Sequence, residues 1–242
     1  MSELAIIGGT GALDLFESSE ERGMDTPWGV PSAPAVRVGF GRAEAWFLAR
    51  HGRPHRIPPH RINYRANIDG LKRLGVKRVI AINAVGGIDA ALEPGSLVVP
   101  DQLIDYTWGR SHTFGDDEES PLLHVEFAHP FADRLRAGLL DAGRSAGIGL
   151  KDGGCMAVTQ GPRLETAAEI ARLARDGCSV VGMTGMPEAV LAREAGLDYA
   201  SLCVVANPAA GLEREPISLE EIERVLATAM LDVRRLFGKL AV

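Results

Sequence analysis

The residues of this chain best suited to chemistry fall in short stretches spread along its length. Ile6-Ile7-Gly8-Gly9-Thr10-Gly11 places a glycine-rich turn after an apolar run, where bare backbone amides and the Thr10 hydroxyl can hold an anion. Taken alone, it reads equally well as a tight turn leaving a strand with no ligand. It is not a dinucleotide-binding fingerprint, because Ala12 and Asp14 spoil the third glycine that pattern needs. Arg50-His51-Gly52-Arg53 puts an arginine fork beside a histidine at an expected strand end, a set suited to a dianionic phosphate, with a solvated basic turn as the alternative. Three more stretches follow: Asn63-Tyr64-Arg65-Ala66-Asn67-Ile68, Gly161-Pro162-Arg163-Leu164-Glu165-Thr166 and Met183-Thr184-Gly185-Met186-Pro187-Glu188. Thr184 precedes an expected helix N-terminus, whose amides and dipole favour an anion.

These residues need a scaffold, and the hydrophobic pattern describes one. Apolar runs of strand length alternate with longer amphipathic stretches, which predicts an α/β fold: a twisted mixed sheet flanked by helices, forming one domain over residues 1–242. Strands are expected at 4–7, 36–40, 45–49, 79–83, 97–100, 156–159, 179–183 and 199–206. Several of these runs are too continuously apolar to be half exposed. Ser218-Leu219-Glu220-Glu221 and Thr166-Ala167-Ala168-Glu169 read as capping boxes, and the second places Glu165 on the entry loop of its helix. A third helix runs from about Pro187 to Ala195 before Gly196, and Phe131, Leu135, Leu139 and Ala142 mark a fourth. Loops are expected at 52–59, 108–121 and 207–216.

Composition excludes several classes. With 26 basic and 32 acidic residues the net charge is −6, which gives no footprint for nucleic acid or an anionic membrane. The start has no basic region before its short apolar run, no segment reaches membrane-spanning length, and Cys155, Cys178 and Cys203 read as buried free thiols, so a cytoplasmic address is expected. His51, His55 and His60 are interrupted by Pro54, Pro58 and Pro59, which forbid a helix, so the rings are expected to stay apart and no metal site is expected.

The order and spelling of these stretches resemble the methylthioadenosine phosphorylase and purine nucleoside phosphorylase family, from Ile6 to the final helix. The resemblance implies a homotrimer and no cofactor, with inorganic phosphate as co-substrate. It assigns phosphate to Thr10, Arg50, His51 and Thr184, with a contribution from Asn83-Ala84, although the methylthioadenosine enzymes usually carry threonine where this chain has Asn83. It places Met183 under the sugar, Leu219 at the 5′ group, Pro208 and Ala209 among the substrate-binding residues, and His124 in the site of a neighbouring subunit.

Two positions bear on which purine is taken. A 6-oxopurine presents N1–H as a donor and O6 as an acceptor, whereas a 6-aminopurine presents the opposite polarity. An ionised Glu165 can only accept, so it suits N1–H, while the amide of Asn207 can serve O6 or N7. Each has a plain alternative, a helix-entry acid and a turn residue before Pro208. Adenine-specific members of the family place aspartate at the position of Asn207 and a small residue at that of Glu165. Here the two resemble the 6-oxopurine branch, while the Gly-Gly-Thr-Gly and Arg-His-Gly stretches resemble the methylthio branch. The expected activity is phosphate-dependent cleavage of a 6-oxopurine 5′-methylthionucleoside, with Arg50, His51, Glu165 and Asn207 carrying the catalysis. The alternatives are a general inosine and guanosine phosphorylase, a methylthioadenosine phosphorylase, and a purine nucleoside-binding or sensor protein.

Overall fold

In the computed structural model, residues 3–9, 12, 15–41, 43–116, 123–213 and 217–241 are described. The chain begins with β1 (Leu4–Gly8), β2 (Glu17–Arg22), β3 (Ala35–Phe40) and β4 (Ala43–Ala49), then α1 (Tyr64–Arg73) and β5 (Arg78–Gly87). It continues through β6 (Leu97–Val99), β7 (Gln102–Asp105), α2 (Asp133–Ala146), β8 (Leu150–Asp152) and β9 (Cys155–Val158). It ends with α3 (Ala167–Arg175), β10 (Cys178–Gly182), α4 (Gly185–Glu194), β11 (Asp198–Pro208) and α5 (Leu219–Phe237).

The strands form one mixed sheet in the order β2-β3-β4-β1-β5-β10-β9-β7, with β11 joining β5 to β6 and β6 to β8. Alternation along β1 shows why both faces are covered: Ala5 and Ile7 pack into one core, Leu4 and Ile6 into another, and all four are buried. α1 and α4 close the first face through Ile68, Leu71, Ala189 and Leu191. α2 and α5 close the second through Leu139, Met230, Val233 and Leu236. α3 packs Ile170 and Leu173 into a smaller cluster.

Each strand expected from an apolar run is present, within a few residues at its ends. Three further strands, β2, β7 and β8, lack that signal: β2 reads Glu-Ser-Ser-Glu-Glu-Arg and is almost wholly exposed. Helix α1 is also additional, and its Asn63 cap accepts from the Ala66 amide. The Thr166 capping box forms in full, while Ser218 accepts from the Glu221 amide. α4 opens irregularly, with Met186 extended at φ −120° and ψ 139°, so its regular turns begin at Pro187 as the sequence suggests. The expected 207–216 loop starts later than its first residue, because β11 keeps pairing with β5 as far as Pro208.

Candidate active site

The site arises where the sheet changes partners. β11 covers one edge of β5 from Arg78 to Gly87. On the other edge, β1 pairs with Arg78–Ala81 and β10 pairs only with Gly86 and Gly87. Between them the described strands leave residues 82–85 uncovered on that edge. A crevice at the carboxyl ends of parallel strands, where the order switches, is the general ligand position in open α/β sheets. A cavity of about 220 Å³ lies there, lined by Gly9, Arg50, His51, Ala84, Glu165, Met183, Thr184, Asn207 and Ala209, among others. The structure thus gathers residues from four of the five stretches quoted from the sequence, and none from 63–68.

Arg50, 1% exposed, follows β4 and turns inward. Its Nε and Nη2 donate to the two carboxylate oxygens of Glu188 at 2.8 and 2.9 Å, a bidentate pair. Nη2 also reaches the Ile7 carbonyl at 3.4 Å, and Nη1 the Ile82 carbonyl at 3.1 Å, which holds open the uncovered edge of β5. Glu188, 0% exposed, also accepts from the Tyr199 hydroxyl at 2.9 Å. Burial opposes the guanidinium charge, but the charge and hydrogen bonds of Glu188 outweigh it and raise the arginine pKa above its ordinary value. One N–H on Nη1 has no acceptor among the described residues. Arg50 therefore brings its charge to the cavity with most of its fork already engaged.

His51 is held by its ring Nδ1, 2.8 Å from the Ile57 carbonyl. A carbonyl only accepts, so Nδ1 carries the proton. Burial, then the neighbouring Arg50, lowers its pKa from 6.5 to about 4, and the ring is neutral at pH 7. The rings of His51 and His55 stack at 4.3 Å and 12°, so the expectation that the prolines keep them apart is corrected: the turn itself folds one ring over the other. Stacked rings do not point their nitrogens at a common centre, and among the described residues no cluster of three or more His, Cys, Asp or Glu is arranged for a metal. Between pH 6.5 and 4 the unfolded state binds more protons at His51 than the folded state does, so stability falls as pH drops through that window. Thermal denaturation will show a midpoint lower at pH 4.5 than at pH 7, by less in His51→Asn than in the unaltered protein.

Thr184 lines the cavity, but its hydroxyl donates to Asn83 Oδ1 at 2.9 Å and does not cap α4. The Asn83 amide donates to Ser201 Oγ at 2.7 Å and leans on the Ala81 carbonyl at 3.5 Å. Asn83 is thus a buried prop for Thr184, and the cavity wall at this point is Ala84. Thr10 lies outside the described residues.

At the other end, Thr159 donates to Glu165 Oε1 at 2.5 Å, fixing the carboxylate on the loop before α3. A register shift between Val205 and Asn207 turns Asn207 into the cavity, and one of its amide hydrogens goes to the Pro208 carbonyl at 2.6 Å. Met183 follows the last residue of β10, and a Cβ on Gly161, whose φ is +57°, would sit 2.5 Å from its sulfur, so glycine is needed there. Ala209 lines the cavity, whereas Pro208 does not and lines a neighbouring one. Leu219 is 73% exposed and does not line it; Ile217 and Ile222 occupy that side. His124 is exposed and outside the cavity of its own chain.

Sequence reasoning passed over three residues that hold this site: Glu188, Tyr199 and Arg110. Arg110, in the loop after β7, donates to the carbonyls of Met183 (2.9 Å), Met186 (2.5 Å), Gln160 (2.8 Å) and Thr159 (3.3 Å), to Gln160 Oε1 (3.2 Å) and to Tyr64 (3.3 Å). It ties the exit of β9, which leads to Glu165, to the exit of β10, which carries Met183. Lysine has three donors on one atom and cannot span these acceptors. Arg110→Lys will lose about 1–3 kcal/mol of stability and raise the nucleoside KM more than the phosphate KM, as steady-state kinetics will show.

The crevice at the carboxyl ends of these parallel strands brings a buried arginine, a carboxylate and a side-chain amide around one cavity of small-molecule size. The chain belongs to the phosphorylase superfamily, whose profile matches residues 3–241. It is 54% identical over 243 residues to a probable S-methyl-5′-thioinosine phosphorylase of Xylella fastidiosa, covering 98% of this chain and 97% of that one. It is 42% identical to the 6-oxopurine nucleoside phosphorylase of Pyrococcus furiosus, covering 98% and 91%. Among solved structures it is similar to methylthioadenosine phosphorylase from Schistosoma mansoni in complex with adenine, with a TM-score of 0.92 and 33% identity, covering 99% of this chain and 91% of that one.

Proposed function

We propose that this phosphorylase cleaves S-methyl-5′-thioinosine with inorganic phosphate, giving hypoxanthine and 5-methylthioribose 1-phosphate. The observation that carries this is the Glu165 carboxylate, held by Thr159 at a cavity that Asn207 also lines. A fixed acceptor suits the N1–H of a 6-oxopurine, and the second amide hydrogen of Asn207 suits O6 or N7. A phosphate oxygen bonds to C1′ as the C1′–N9 bond breaks. The bonding pair leaves with the purine, and the proton of monohydrogen phosphate ends on the base.

Arg50, His51 and Thr184, with Thr10 and the Ala84 turn, hold phosphate; Met183 packs under the ribose. Positioning and electrostatics supply the rate, with no covalent intermediate and no cofactor. At the 5′ end, Ile217 and Ile222 offer apolar surface to a methylthio group. The protein works as a single-domain chain in a cytoplasmic homotrimer, where His124 reaches the site of a neighbouring subunit. Its exposure and its absence from its own cavity support that placement. No helix among the described residues is long and apolar enough to cross a membrane.

The test is to incubate the purified protein with phosphate and, separately, S-methyl-5′-thioinosine, S-methyl-5′-thioadenosine and inosine, following free base and sugar 1-phosphate. The methylthioinosine substrate will have the highest kcat/KM. Preference for the adenine compound overturns the roles of Glu165 and Asn207, and preference for inosine overturns the 5′ assignment. Binding without phosphate-dependent cleavage makes the protein a sensor.

A further inference from the structure

The anion end of the cavity is less donor-rich than an arginine, a histidine and a threonine suggest. The proton of His51 is on Nδ1, committed to the Ile57 carbonyl, and its Nε2 makes no hydrogen bond among the described residues. The Cδ2 edge of that ring, beside Nε2, faces Gly9, another residue of the cavity wall; a Cβ on Gly9 would lie 3.8 Å from it. The Thr184 proton is committed to Asn83 Oδ1, whose orientation is set by the Asn83 amide on Ser201 and the Ala81 carbonyl. His51 and Thr184 therefore meet the cavity with lone pairs, while Arg50 contributes a charge and one N–H.

A fully deprotonated tetrahedral anion has only acceptors and meets repulsion at those lone pairs. An anion that keeps one hydroxyl can donate it. We infer that this site selects its anion by a retained proton: His51 Nε2 accepts the P–OH of monohydrogen phosphate, and fully ionised anions of the same shape are rejected. The same hydrogen bond orients the anion, because the hydroxyl oxygen is held at His51 and an unprotonated oxygen is left for C1′. This rests on phosphate occupying the Arg50, His51 and Thr184 end of the cavity, as proposed above. A buried hydrogen-bonding group left unmatched corresponds to about 10–100-fold in affinity.

The experiment compares phosphate, arsenate and sulfate at pH 7.5 at constant ionic strength. Phosphate and arsenate, both carrying a hydroxyl, are measured as co-substrates, and sulfate as an inhibitor competitive with phosphate. In the unaltered protein, sulfate will bind at least about tenfold more weakly than either of the others. In His51→Asn, whose amide can turn a donor to the anion, that gap will narrow at least about threefold. Sulfate binding within tenfold of phosphate in the unaltered protein overturns the inference, whatever the variant does, and so does an undiminished gap in His51→Asn. A phosphate KM unmoved in both His51→Asn and Thr184→Val would instead show that phosphate binds elsewhere, overturning the site assignment beneath it.

Discussion

Glu188→Leu will destabilise the protein by about 3–5 kcal/mol, because it strips the partner from a guanidinium that stays 1% exposed. In a chain of this length that loss corresponds to a fall in Tm of roughly 6–20 °C. The penalty has a second part, since the Tyr199 hydroxyl, fully buried beside Glu188, loses its acceptor. Removing the charge as well as its partner separates packing from electrostatics. In Arg50→Met with Glu188→Leu the interior holds no unpaired ion, and most of the lost stability will return, as it does when buried pairs are replaced by apolar groups of similar volume. Phosphate binding will not return, because the double variant lacks the cation at the crevice. Calorimetry with phosphate titrations on the three proteins checks both halves. A loss under about 1 kcal/mol in the single variant would mean that water reaches Arg50 and that its pairing with Glu188 is incidental.

That network also marks where sequence reasoning stops. Glu188 stands in a stretch singled out for its threonine and methionine, yet nothing there shows that its partner lies 138 residues earlier. A buried ion pair is a property of the folded topology, and neither residue type announces it. Arg110 is hidden for a related reason: it binds carbonyls, which every residue has, so no spacing marks its partners. Asn83 shows the reverse case, in which the side-chain amide that suits an anion donates instead to Ser201, 118 residues away. What could be read were features with a local cause. The apolar runs of β1, β5 and β11 are buried on both faces and so need no alternation to be recognised. The Thr166 cap and its Glu169 partner lie three residues apart and form as their spacing requires. Strand β2 could not be read, because its polar residues pair along β3 through backbone bonds to which side-chain type is indifferent. Stacking of His51 on His55 escaped because prolines forbid a helix without forbidding a turn.

Glu165→Gln will invert the base preference rather than merely weaken it. In the unaltered protein the Thr159 hydroxyl donates to Oε1, so Oε2 is left to accept N1–H from a 6-oxopurine. A site built to pair one edge rejects the other by about 10⁴-fold, because its polar groups are left unmatched. When the carboxylate becomes an amide, the Thr159 hydroxyl keeps donating to the side-chain oxygen at 2.5 Å in preference to the Gly182 carbonyl at 3.4 Å, which turns the new NH₂ toward the base. A donor at that point suits N1 of a 6-aminopurine and opposes N1–H. The ratio of kcat/KM for S-methyl-5′-thioinosine over S-methyl-5′-thioadenosine will therefore fall by more than about 10⁴-fold, to below unity, with most of the change in the nucleoside terms and little in the phosphate KM. Adding Thr159→Val removes the hydroxyl that orients the amide, and the introduced side chain can then present either end. Discrimination will collapse toward unity rather than reverse. If the ratio stays where it was in Glu165→Gln, the carboxylate does not face the base, and its bond to Thr159 serves only to hold the entry loop of α3.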